Sequence, residues 1–121
     1  MAVEFFTKEG KGFSPKASIR KPGQIGLNQG SVERYKFING EYVLLGYDRE
    51  KKMVAIRRLN EAEKGAKKVN VKGNNGAISA KSFLDYFGIP YDKKGSFELK
   101  EDKEKQLLVF YIEIPQSDTI K

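Results

Sequence analysis

The chain repeats itself. Residues 48–57, DREKKMVAIR, lie against residues 102–111, DKEKQLLVFY, without a gap: acid, base, Glu, Lys, a short polar link, then an apolar run. Upstream, residues 18–27, SIRKPGQIGL, lie against residues 70–79, NVKGNNGAIS, once one residue is inserted. Both matches fall in the same order at offsets of 52 to 54 residues. A unit of about fifty residues is therefore present twice. A unit that short buries too little apolar surface to be stable alone, so two of them within 121 residues must share one core. That excludes two independent domains and requires a pseudo-two-fold architecture.

Each copy has the same grammar. A strand runs into a Gly turn, Lys21-Pro22-Gly23 in the first copy and residues 72–76 in the second. A short extended segment carrying Ile25 or Ile78 follows, then a short helix. In the second copy Phe83, Leu84 and Phe87 form one helical face ahead of Gly88, which suits a left-handed closing position. In the first copy Val32 and Tyr35 supply that face, and Gly30 weakens the helix start. A hairpin closes each copy, residues 42–47 against 53–56 and residues 96–100 against 107–114. The prediction is a mainly β fold with short helices, a pseudo-two-fold β-barrel built from two β-α-β-β repeats. Its parts are an N-terminal arm (1–16) in which Val3, Phe5 and Phe6 add an edge strand, a first repeat (17–59), a polar connector (60–68), a second repeat (69–115) and a tail (116–121).

Composition narrows the chemistry. With no Cys there is no disulfide frame, thiolate nucleophile or zinc knuckle, and with no His the commonest general base and metal ligand is missing. Carboxylates, Lys and Tyr could still catalyse, but no convergent cluster of them stands out, so the expectation is a non-enzyme without cofactor or metal. The acids Glu101, Asp102 and Glu104 alternate with Lys, and their aligned copy reads Asp48-Arg49-Glu50, which marks hairpin turns rather than a cation loop. The longest apolar run, residues 107–112, is about a third of a membrane span and reads as a buried central strand. Residues 1–10 lack the apolar core of a secretory signal, so a soluble cytoplasmic protein is expected.

The run Ile19-Arg20-Lys21, Gly23-Gln24-Ile25, Val32-Glu33-Arg34 and a hairpin resembles the swapped-hairpin unit of the AbrB/MazE family. Val71-Lys72, Gly76-Ala77-Ile78-Ser79, Phe83-Leu84 and Gly88-Ile89 resemble it in the second copy. Two such units in one chain are similar to the MraZ arrangement, over residues 17–114 or so. The resemblance implies a DNA-binding transcription regulator. It also implies contacts from the first strand, the Gly turn and the helix, which by position are Arg20, Lys21 and Arg34, with Lys72 in the second copy. Gln24 and Ala77 stand where the family usually carries Arg, and Asn28 and Lys81 where it commonly has Pro. Asp85 occupies a helix position that is often basic there.

Charge agrees with an anionic partner. The chain has 23 Lys+Arg against 16 Asp+Glu, a net +7. Residues 17–60 carry nine cations and four acids, net +5, whereas residues 61–115 carry ten and nine, net +1. The candidate DNA-binding set is Arg20, Lys21, Gln24, Arg34, Lys36, Arg57, Arg58 and Lys72, with the first repeat dominant. Arg20, Lys21, Arg34 and Lys36 are expected to converge on one face around the first turn and helix. The expected partner is duplex DNA, with a homo-oligomer as a second form of association. The alternative function is an oligomeric structural or protein-interaction module of the mobile-element or virion type, without nucleic-acid binding.

Overall fold

The computed structural model describes residues 14–112. The expected edge strand at Val3, Phe5 and Phe6 and the expected tail lie outside those residues. The first half contains β1 (Lys16–Arg20), β2 (Gln24–Leu27), α1 (Gln29–Tyr35), β3 (Tyr42–Asp48) and β4 (Met53–Leu59). The second contains β5 (Lys67–Lys72), β6 (Asn75–Ser79), α2 (Lys81–Phe87), β7 (Gly95–Glu98), β8 (Lys100–Asp102) and β9 (Leu107–Tyr111). The extended segments carrying Ile25 and Ile78 are thus full ladder strands, which adds one strand ahead of each helix to the expected β-α-β-β order, and the last hairpin arm of the second half is split into β7 and β8. β5 also begins at Lys67, inside the stretch expected to be connector.

One nine-stranded antiparallel sheet holds the chain, in the order β7-β1-β2-β6-β5-β3-β4-β9-β8. Its outermost strands, β7 and β8, are separated in sequence only by Leu99, so the sheet curls until its ends meet. At that seam the Leu99 N–H donates to the Pro15 carbonyl (3.0 Å) and the Phe97 ring stacks on Phe110 at 5.7 Å. The result is a nearly closed β-barrel with two short helices.

The halves exchange partners. β1 pairs with β7 of the second half, β3 pairs with β5, and β2·β6 and β4·β9 pair across the pseudo-two-fold. This corrects the second hairpin. Gly95–Glu98 pairs with β1, and only Lys100–Asp102 pairs with β9. Alternation sends Ala17, Ile19, Ile25, Val43, Val54, Ile56, Ile78, Leu108 and Phe110 inward to one core. β9 has β4 on one side and β8 on the other, as expected of a central strand.

Local chemistry sets the turns. The Asp48 carboxylate accepts the N–H groups of Glu50 and Lys51 (both 3.0 Å), and that of Asp102 accepts the Lys105 N–H (3.2 Å). α1 starts at Asn28, whose Oδ1 accepts from the Ser31 and Lys16 N–H groups (both 2.9 Å) and whose Nδ2 donates to the Ser14 carbonyl (2.9 Å). The buried face of α1 is Gly30 and Ser31, with Val32 and Tyr35 only partly covered; the Ser31 hydroxyl donates to the Lys16 carbonyl (2.8 Å). α2 buries Phe83 and Leu84. The helices end alike, at Lys36 (φ 55°) and Gly88 (φ 68°), with the following Phe37 and Ile89 N–H groups returning to Val32 and Leu84.

Candidate nucleic-acid interface

Alternation also fixes what faces outward. On the outside of β7, β1, β2, β6 and β5, register lines up Ser96 with Ser18, Ser18 with Gly26, Gly26 with Ala77 and Ala77 with Asn70. A strip of small side chains therefore crosses five strands, about 19 Å at ordinary strand spacing. Two residues along each strand the character changes. Arg20 lies opposite Gln24 at one edge of the strip, and Lys16 and Lys72 stand at the other. The two cationic edges are about 13 Å apart, four residues of strand.

The outward sequence of β1 is Lys16, Ser18, Arg20, and that of β5 is Lys68, Asn70, Lys72. Both read cation, small polar, cation, 52 residues apart. The β2·β6 pair brings these two strands to opposite sides of one surface in two-fold relation. Glu98, opposite Lys16 on β7, is the acid at its corner. A shallow depression of about 360 Å³ opens between Lys16, Arg20, Asn75, Lys94 and Ser96.

Arg20 crosses this depression. Its Nη1 donates to the Ser18 hydroxyl (3.0 Å) and lies over Gly26, where an added Cβ would sit 1.9 Å from it. Gly26 is there because the guanidinium occupies the space a side chain would take. Beside the β1–β2 turn, Gly23 (φ 110°) accommodates Lys81 of α2, and the Ala80 N–H donates to the Gly23 carbonyl (2.8 Å). Lys81 pairs with Asp85 (3.0 Å), which also accepts from the Tyr91 hydroxyl (2.9 Å). Hydrogen bonds from Lys81, and then from Tyr91, hold the Asp85 carboxyl below its ordinary pKa.

Of the sequence candidates, Arg20, Lys21, Gln24 and Lys72 belong to this surface or its turns. Arg34 and Lys36 do not. Asn28 and Ser31 tie α1 to the Lys16 end of β1, so Arg20 and Arg34 stand at opposite ends of the strand rather than around one turn. Arg34 adjoins Tyr35, whose phenol pKa is raised mainly by burial, lowered in part by Arg34 and raised by Glu101. Arg57 faces out of β4 on the other side of the barrel, opposite Leu44. Arg58 is committed to the fold. Its Nε and Nη2 donate to both oxygens of Glu41 (2.7 and 2.8 Å), its Nη1 and Nη2 donate to the Tyr35 and Lys36 carbonyls, and it lies 4.7 Å over the Phe37 ring.

Sequence reading missed Lys16, Lys68 and Lys94. The 52-residue offset that matched Arg20 to Lys72 also matches Lys16 to Lys68, which was the available signal. Comparison with protein-family models, curated proteins and solved structures gave no match.

Proposed function

We propose that the protein is a cytoplasmic, duplex-DNA-binding transcription regulator of the AbrB/MraZ-like kind, and that its DNA surface is the outer face of β1, β2, β5 and β6. The observation that carries this reading is the repeated Lys16-Ser18-Arg20 and Lys68-Asn70-Lys72 pattern, set in two-fold relation across a strip of small residues. Duplex DNA has a local dyad, and a two-fold protein surface matches two related phosphate runs. The edges, about 13 Å apart, suit a major groove about 12 Å wide. Lys16, Arg20, Lys68 and Lys72 anchor phosphates, while Gln24 at the strip edge stands where base edges are read.

The test is fluorescence anisotropy of a labelled random duplex at several salt concentrations. Binding should weaken linearly in log–log form, with a slope of about −0.9 per phosphate neutralised. Lys16→Ala and Lys72→Ala should each flatten that slope by about one unit, while Lys51→Ala in the β3–β4 turn leaves it unchanged. Absence of binding at low salt, or equal behaviour of all three variants, refutes the assignment.

A further inference from the structure

The opposite side of the barrel differs in kind. There Gly46 lies opposite Ala55, and Ala55 opposite Val109, so a row of small and β-branched side chains crosses β3, β4 and β9. Val109 is 7% exposed, yet it alone among the buried hydrophobics of the described residues stands apart from the core cluster. Around Gly46 and Ala55 lies an open hollow of about 730 Å³, walled by Leu44 and Leu107 on one side and by Met53 on the other.

Charge runs head to tail across the hollow. Arg57, opposite Leu44, closes one end, and Asp48, Arg49 and Glu50 close the other, where the Arg49 guanidinium is engaged over the Phe87 ring at 4.9 Å. The ends are separated by four residues of β3, about 13 Å. Among the described residues Arg57 takes part in no ion pair, unlike its neighbour Arg58. A two-fold axis lying in the contact plane, across the strands at the level of Gly46 and Ala55, would carry the Arg57 end of one copy over the acidic end of another. The same rotation lays Leu107 over Tyr111 and the Arg57 stem over Met53, beside Asp48, and the absence of side-chain bulk at Gly46 lets the sheets approach. A surface complementary to itself under a two-fold is what an isologous contact requires.

We propose that this face is the contact between two copies of the chain, packed sheet to sheet about an axis at Gly46–Ala55, with Arg57 of each copy paired to Asp48 and Glu50 of the other. The contact lies across the barrel from the basic strip and does not depend on what that strip binds. Apolar area supplies the affinity, and the two crossed charge pairs fix the orientation.

Sedimentation velocity should show a dimer at about 100 μM chain or below. Arg57→Glu and Glu50→Arg should each raise the dissociation constant at least about tenfold by placing like charges together twice, and the double reversal should restore it to within a few-fold. Ala55→Arg, with circular dichroism unchanged, should yield monomer. Because the chain has no Cys, Ala55→Cys should cross-link two copies under mild oxidation, whereas Lys72→Cys on the far face should not. A monomer at every concentration overturns the proposal. So does a dimer indifferent to Arg57→Glu and Ala55→Arg, since it would use another surface.

Discussion

Arg58→Ala separates a fold residue from a binding residue most sharply. The Arg58–Glu41 side chains are 36% and 12% exposed, so the forked ion pair is worth at most about 1 kcal/mol. The guanidinium over Phe37 adds about 0.5–1 kcal/mol. Its bonds to the Tyr35 and Lys36 carbonyls, which close the C-terminal end of α1 onto β4, add about 0.5–1 kcal/mol together. The expected loss is about 2–3 kcal/mol, or a fall in melting temperature of about 8–15 °C. Arg58→Lys should lose most of this, because an ammonium cannot fork. A double-mutant cycle with Glu41→Gln should return a coupling near 1 kcal/mol. Thermal melts followed by circular dichroism read both quantities, and duplex affinity is measured separately, well below the melt. Affinity should stay within about twofold, because removing a phosphate contact would also change the salt slope and this substitution removes none. A variant that melts like the parent but no longer binds DNA would refute the reasoning and return Arg58 to the binding set.

Gly23→Ala should destabilise by at least about 2 kcal/mol in urea unfolding, since Gly23 sits at φ 110° and the new Cβ would lie 2.8 Å from the Lys81 Cα. Asn28→Ala should cost about 1–2 kcal/mol by the same measurement, because the amide caps α1 and also holds Ser14 and Lys16. Asp85 has a depressed folded pKa, so its contribution is present above the unfolded carboxyl pKa and is lost as pH falls through the lower folded value. The gap in urea midpoint between the parent and Asp85→Asn should therefore be open at pH 7 and close on acidification below about pH 4.

The repeat told much of the fold because local chemistry repeats with it. Lys52 and Gln106, 54 residues apart, both adopt positive φ at the ends of Asp-capped turns, and Lys36 and Gly88, 52 apart, both end helices. Partner exchange was not readable. Alternation at Phe97 and Leu99 says which face is buried but not which neighbour pairs, and the bend at Leu99 hands the chain from β1 to β9. The strip was hidden for a related reason. Ser18, Gly26, Ala77, Asn70 and Ser96 carry no motif and become one feature only through the registers of five strands. Arg58 did leave a trace. Its counterpart in the second copy is Ile112, which packs against the core, so that position serves the fold in both halves.

The two copies have diverged unequally, and that inequality carries an argument about mechanism. Inside the barrel, Val54 and Ile56 correspond to Leu108 and Phe110, and one core constrains both pairs. Outside β4 and β9 the apolar kind is kept at Met53/Leu107 and Ala55/Val109, but the charge is not, and Arg57 corresponds to Tyr111. Outside β1 and β5 the kind of residue is kept at three successive outward positions, although no shared core demands it there. Charge counted along the sequence assigns binding to the first repeat, at net +5 against +1. Charge placed by the fold spreads the proposed surface over both. If the two-fold strip meets a duplex across its dyad, Arg20→Ala and Lys72→Ala remove related phosphate contacts, and their losses in affinity should agree within about threefold at each salt concentration. A loss tenfold or more larger for Arg20→Ala than for Lys72→Ala would refute the two-fold docking. The conserved pattern would then be a surface that keeps the sheet soluble rather than one that reads a partner.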